Sequence, residues 1–202
     1  MKKLLFCIAV VTTLSFIPAD AGLSKKEKKT AAKFLKKAEK DVLGSIKGLS
    51  EAQLKFKPAA DKWSVEDNIK HIAATEAALW QMTEAAIKQA ANPEKRAEIK
   101  MTDQDVMKNV EDRSNKVKTF STLEPQNTGF NTMDEAVNSF KQNRNKLIEY
   151  VKNTGDDLRN HVAILPIGNF DCYQMILFIG AHSNRHLRQI EEVKADANFP
   201  AN

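Results

Sequence analysis

Apolar positions recur along this chain at helical spacing in four long stretches, and strand-like alternation is nearly absent. Leu35, Ala38, Val42, Leu43 and Ile46 mark the first stretch, a helix predicted over about residues 25 to 47. A Ser24-Lys25-Lys26-Glu27 capping box precedes it and Gly48 fits its end. A short helical turn begins at Ser50-Glu51-Ala52-Gln53 and is closed by Pro58. Ser64-Val65-Glu66-Asp67 opens the second long helix, with Val65, Ile69, Ile72, Leu79 and Ile87 as its main stripe, and Asn92-Pro93 is expected to end it. Thr102-Asp103-Gln104-Asp105 caps a polar helix carrying Val106, Val110 and Val117, predicted to reach about Lys118. The segment from Ser121 to Asn131 contains Pro125 and Gly129 and reads as a loop.

Thr132-Met133-Asp134-Glu135 caps the third long helix, whose buried side is Val137, Phe140, Leu147, Ile148 and Val151, and Asn153-Thr154-Gly155 stops it. Val162 to Ile167 has the composition of a strand but no evident partner, so it is expected to be an extended connection. The last helix spans Asp171 to Val193. Four long amphipathic helices and no convincing strand predict an all-α fold, a four-helix bundle.

Composition then sets aside the beginning of the chain. Lys2 and Lys3 are followed by the apolar run Leu4 to Phe16, and Ala19-Asp20-Ala21 offers small residues where a signal peptidase cuts. Residues 1-21 therefore read as a cleaved secretory signal, and 22-202 as a single domain. The run is short for a membrane span, so no stable membrane insertion is expected after cleavage, and the protein is expected to be periplasmic or secreted. Cleavage removes two lysines and one aspartate, taking the formal charge from +5 to about +4. Much of the excess lies between Lys25 and Lys40, which hold eight lysines and two glutamates. Arginines and aromatics are nearly missing there, so the stretch reads as a solvated helix face and no nucleic-acid partner is expected. The mature chain keeps one cysteine, Cys172, which excludes an internal disulfide.

The chemistry-bearing residues are histidines: His71, His161, His182 and His186. On the last helix Met175, Ile179, His182, His186, Ile190 and Val193 fall within about 80° of one another at ~100° per residue. His182 and His186 therefore sit in the middle of the apolar stripe. Burying imidazoles without partners costs a few kcal/mol, and a shared metal ion would satisfy both. Merely hydrogen-bonded rings are the plainer alternative for such a pair. His71 lies about 130° from the centre of its helix's main stripe, on a second flank of Ala74, Ala78, Met82 and Ala85 that could face another helix. Three imidazoles with an open position would make a catalytic-type centre, and that donor set suits zinc, nickel, copper or iron. His182-Ser183-Asn184-Arg185-His186 lacks the glutamate of H-E-x-x-H, which argues against a zinc protease.

Lys62-Trp63-Ser64, His71 and Glu76, with the distant His182-x-x-Arg185-His186-x-x-Gln189-Ile190, resemble the DinB-like (DinB/YfiT) superfamily. The resemblance runs from about Ser24 to Lys194 and includes His161 and Pro166-Ile167-Gly168 before the last helix. It implies an up-down-down-up four-helix bundle, often a homodimer, with one divalent transition metal, zinc or nickel foremost, held by His71, His182 and His186. It also implies activities such as transfer of a small thiol to an electrophile.

Around those ligands, Glu76 falls inside the main apolar stripe of its helix and needs a partner. Arg185 would supply one, or Glu76 would reach a metal-bound water, and a partly exposed structural glutamate is the equal alternative. Arg185 and Gln189 flank the histidines, where Arg185 would hold a carboxylate of the protein or of a substrate. Trp63 reads as packing over a helix start, Cys172 as a small buried residue, and His161 as a capping or surface residue. Two functions follow: a metal-dependent transferase or hydrolase activating a thiol or water for a small-molecule substrate, or a non-catalytic metal-binding or stress-related protein of the cell envelope.

Overall fold

A computed structural model describes residues 22–114 and 116–201, so the expected signal segment lies outside the described residues. Six α-helices occur among them: α1 (Lys25–Ile46), α2 (Glu51–Lys55), α3 (Val65–Ile87), α4 (Asp103–Glu111), α5 (Met133–Asn153) and α6 (Cys172–Lys194). Each starts with a complete capping box, Ser24 with Glu27, Ser50 with Gln53, Ser64 with Asp67, Thr102 with Asp105, Thr132 with Glu135 and Asp171 with Gln174. In each, two otherwise orphaned backbone N–H groups are satisfied reciprocally, so these starts are set locally.

The ends deviate more. α3 stops at Ile87, and Pro93–Glu98 form a separate 3-10 turn. α4 stops at Glu111, well short of Lys118, because Asp112 accepts hydrogen bonds from both the backbone N–H and the hydroxyl of Ser114 at 2.8 Å. That local turn offers the backbone an alternative to another helical turn. Val162–Leu165 is a strand, β1, and it does have a partner: β2, Gly168–Asp171. They pair antiparallel from Val162↔Asp171 to Leu165↔Gly168, across a turn that Gly168 closes at φ +135°. The fold is thus mostly helical with one small antiparallel sheet, which corrects the all-α expectation. β2 is four residues long and merges with the cap of α6, too little sequence to betray a strand.

Four long helices pack as a ring in which α1 and α3 each lie against both α5 and α6. α1 approaches α6 closely at Gly180, where an added Cβ would lie 2.6 Å from the Phe34 ring. Two apolar clusters fill the interior. One gathers Leu35, Leu79, Leu147, Met175, Ile176 and Ile179, and the other Val42, Ile69, Ile72, Phe140 and Ile190. Between those levels, Glu76, Arg144 and Ser183 lie buried in the centre of the bundle. At the end where α6 starts, Arg159 bonds Glu27, Asp103 and Asp171 at 2.6–3.0 Å and closes the fold around the hairpin. No helix among the described residues is long and apolar enough to cross a membrane.

Candidate metal centre

α3 and α6 bring His71, His182 and His186 together, each offering a ring nitrogen within 4.8 Å of the others. His71 and His186 are buried and His182 is partly exposed, so the last marks the side nearest solvent. The Nε2 atoms of His71 and His182 are 3.3 Å apart. Two nitrogens bound to one tetrahedral ion at about 2.0–2.1 Å would be separated by roughly 3.3–3.4 Å, so this pair already has the required spacing.

The far side of two rings is fixed. His71 donates from Nδ1 to the carbonyl of Leu123 at 2.7 Å, and His186 donates from Nδ1 to the Asn68 side-chain oxygen at 3.1 Å. Asn68 is itself oriented by donating to the Ser64 carbonyl at 2.8 Å. These bonds select the Nδ1–H tautomer and leave the Nε2 lone pairs of both rings for coordination, the arrangement by which outer-shell groups aim metal-binding histidines. Burial lowers the pKa of His71, and burial together with the neighbouring histidines and Arg185 holds those of His182 and His186 well below the ordinary value. All three rings are therefore neutral at physiological pH, the form that binds metal.

Trp63, half-buried, packs its ring 4.8 Å from that of His71 and stacks at 5.8 Å on that of His186. It is more than a cover for the helix start, because its indole forms a wall of the histidine cluster. Glu76 pairs with Arg144, not with Arg185, through two bonds of 2.8 Å. Arg185 reaches instead to the carbonyls of Val110, at 3.3 Å, and Asp112. Gln189 accepts from Arg113 at 2.9 Å, and Arg113 grips Glu192 with two bonds of 2.7 Å. Arg185 and Gln189 thus secure the end of α4 and the residues after it against α6. His161 lies outside the cluster, its two nitrogens facing the carbonyls of Asp157 at 2.7 Å and Gln89 at 3.2 Å. Cys172 is buried, its thiol pKa pushed up to about 12 by desolvation, which makes it inert as a nucleophile.

Sequence reasoning missed Asn68, Leu123 and Arg144. A backbone carbonyl such as that of Leu123 leaves no sequence signal. Arg144 did leave one: it falls four residues after Phe140 and three before Leu147, so helical spacing places a charge on the apolar stripe of α5. Glu76 occupies the same kind of position on α3, and two opposite charges in facing apolar stripes suggest each other.

Residues 35–190 match the DinB superfamily model, and the chain belongs to that family. Among its relatives is the uncharacterized protein YuaE of Bacillus subtilis (strain 168), 27% identical over 158 residues, which are 78% of this chain and 93% of that protein. Among solved structures it is similar to YfiT from Bacillus subtilis, described as a "probable metal-dependent hydrolase with an unusual four-helix bundle topology". That likeness has a TM-score of 0.60 at 11% identity and covers 92% of this chain and 95% of the other, which shows a shared fold.

Proposed function

We propose that this chain is an exported member of the superfamily that holds one divalent transition metal through His71, His182 and His186 and uses it on a small-molecule substrate. The observation that carries this reading is the convergence of three neutral imidazoles, two of them aimed by hydrogen bonds to Leu123 and Asn68. All-imidazole ligation suits zinc, nickel, copper or iron, and of these zinc or nickel is the reading the family resemblance favours. When bound with an open position, such a metal supplies Lewis acidity that lowers the pKa of a coordinated water or thiol.

The protein's own contributions are distinct from that chemistry. His71 and His186 present fixed lone pairs. Trp63 gives the cluster an aromatic wall against which an apolar part of a substrate can lie. Glu76 is fully engaged by Arg144 and is not free to act as a general base. A hydrolase is favoured over a thiol transferase by the description of YfiT and by export, since small thiols are chiefly cytosolic. Export rests on the basic start, apolar run and Ala19-Asp20-Ala21 at the beginning of the chain.

The up-down-down-up order belongs to the same reading. Tyr173 bonds Glu27 and Lys194 bonds Ser45, which supports α1 and α6 running alongside in one direction. Glu76 with Arg144 and Trp80 with Tyr150 support the same for α3 and α5.

The test is turnover by the purified mature protein, loaded with zinc or nickel, against panels of activated esters and amides and of small thiols with electrophiles. The reading predicts a reaction abolished by chelator and by His182→Ala. Activity that survives both would contradict it. Stoichiometric metal with no turnover in either panel would favour a binding role.

A further inference from the structure

Arg144 is the only side chain for which hydrogen bonds to all three of the other long helices are recorded among the described residues. From α5, its Nε and Nη2 donate to the two carboxylate oxygens of Glu76 on α3, each at 2.8 Å. Nη1 donates to the Leu35 carbonyl of α1 at 2.9 Å, and Nη2 also donates to Ser183 Oγ of α6 at 2.8 Å. The pair is sealed from solvent, with side-chain exposure of 0% for Arg144 and 1% for Glu76. Phe140 covers the guanidinium, its ring centroid 5.0 Å away.

A buried ion pair is a poor way to gain stability, because desolvation offsets most of the attraction and apolar residues of similar volume do as well or better. What a planar five-donor fork does supply is geometry. Ser183 directly follows His182 and stands three residues before His186, while Glu76 is five residues after His71. The guanidinium therefore fixes the axial and rotational register of α3 against α6 within a helical turn of His182 and His186 and about 1.4 turns from His71. Leucine and isoleucine side chains can slide past one another by fractions of an ångström, but this fork, with a partner on each neighbouring helix, cannot.

We propose that Arg144, with Glu76 and Ser183, is a positioning device for the metal centre that sets the separation of His71 from His182 and His186. This inference rests on the metal reading above. It predicts that metal geometry and fold stability can be uncoupled.

The experiment is titration of the apo protein with Co²⁺, read by visible absorption for affinity and coordination geometry, beside thermal melting of the metal-free form. Two variants are compared with the parent: Ser183→Ala, which removes only the α6 arm, and Glu76→Leu/Arg144→Met, which replaces the pair by apolar residues. The expected result is melting close to the parent, Co²⁺ affinity weaker by about tenfold or more, as for other outer-shell changes, and an altered ligand-field spectrum. Should the double variant fail to fold, Ser183→Ala alone carries the test. Folded variants with parental affinity and spectrum would overturn the positioning role while leaving the three-histidine site standing. If the parent itself shows no Co²⁺ spectrum, both the metal reading and this inference fail.

Discussion

Asn68 and Leu123 do for His186 and His71 what no ligand can do for itself, which is to choose the nitrogen that faces the cluster. Removing the Asn68 amide in Asn68→Ala frees the His186 ring to rotate and to take the other tautomer. Metal affinity in a competition titration is expected to fall by about 10–100-fold, with the fold retained. The aromatic wall gives a second test at this scale. Of the two tryptophans, Trp63 touches the histidine rings, whereas Trp80 packs on Tyr150. Binding of Cu²⁺ or Ni²⁺ should therefore quench indole emission, and Trp63→Phe should abolish the metal-dependent part of the signal. Quenching unchanged in that variant would place the ion elsewhere. At this scale the sequence was legible where helical period and residue chemistry conflict. His182 and His186 stood out because imidazoles in an apolar stripe demand a partner, and Glu76 did so for the same reason. Arg185 and Gln189 flank the histidines on α6, but closeness on one helix did not reveal that the end of α4 and the residues after it arrive to meet those side chains.

Helix starts were legible almost to the residue, since a capping box is a contract between residues three apart. Helix ends were not, because they depend on what comes back to meet them. α4 stops at Glu111, where the local Asp112–Ser114 turn is joined by arginines of α6 that take up its last carbonyls: Arg185 reaches Val110, and Arg188 reaches Glu111 at 3.0 Å. Those partners are more than seventy residues away in sequence and leave no local trace. The hairpin β1–β2 was hidden for a related reason, as strand pairing is a property of two segments and the second is four residues long. Its turn offers a local check. Gly168 holds φ +135°, a region that side chains disfavour, so Gly168→Val should destabilise the protein by about 1–3 kcal/mol in chemical denaturation. A neutral effect would mean that the turn relaxes freely.

At the scale of the whole molecule, the bundle divides its interior into two apolar clusters and places its buried polar groups between and beside them. Two consequences are measurable. Breaking the central pair from one side, as in Arg144→Met alone, leaves the Glu76 carboxylate buried without its partner and should cost about 3–5 kcal/mol, far more than the double replacement. The histidines also make stability depend on pH. Their native pKa values are lowered from about 6.5, so in the window below that value the unfolded chain binds protons that the folded chain refuses. Stability of the metal-free protein is thus complete above about pH 6.5 and falls as the pH drops toward the native values. A His182→Ala variant should show a shallower loss between pH 7 and 5, which denaturant titrations would reveal. Both effects arise from a polar layer that composition could not show, because it exists only once four helices meet.

The central claim is that three histidines from two helices form one metal centre. Elemental analysis of the protein, purified without added metal and set beside His182→Ala prepared identically, tests it most directly. Close to one transition-metal ion per chain is expected in the parent and little in the variant. Absence of stoichiometric metal from the parent, with a melting temperature unmoved by added zinc or nickel, would contradict it, as would equal metal content in the two proteins.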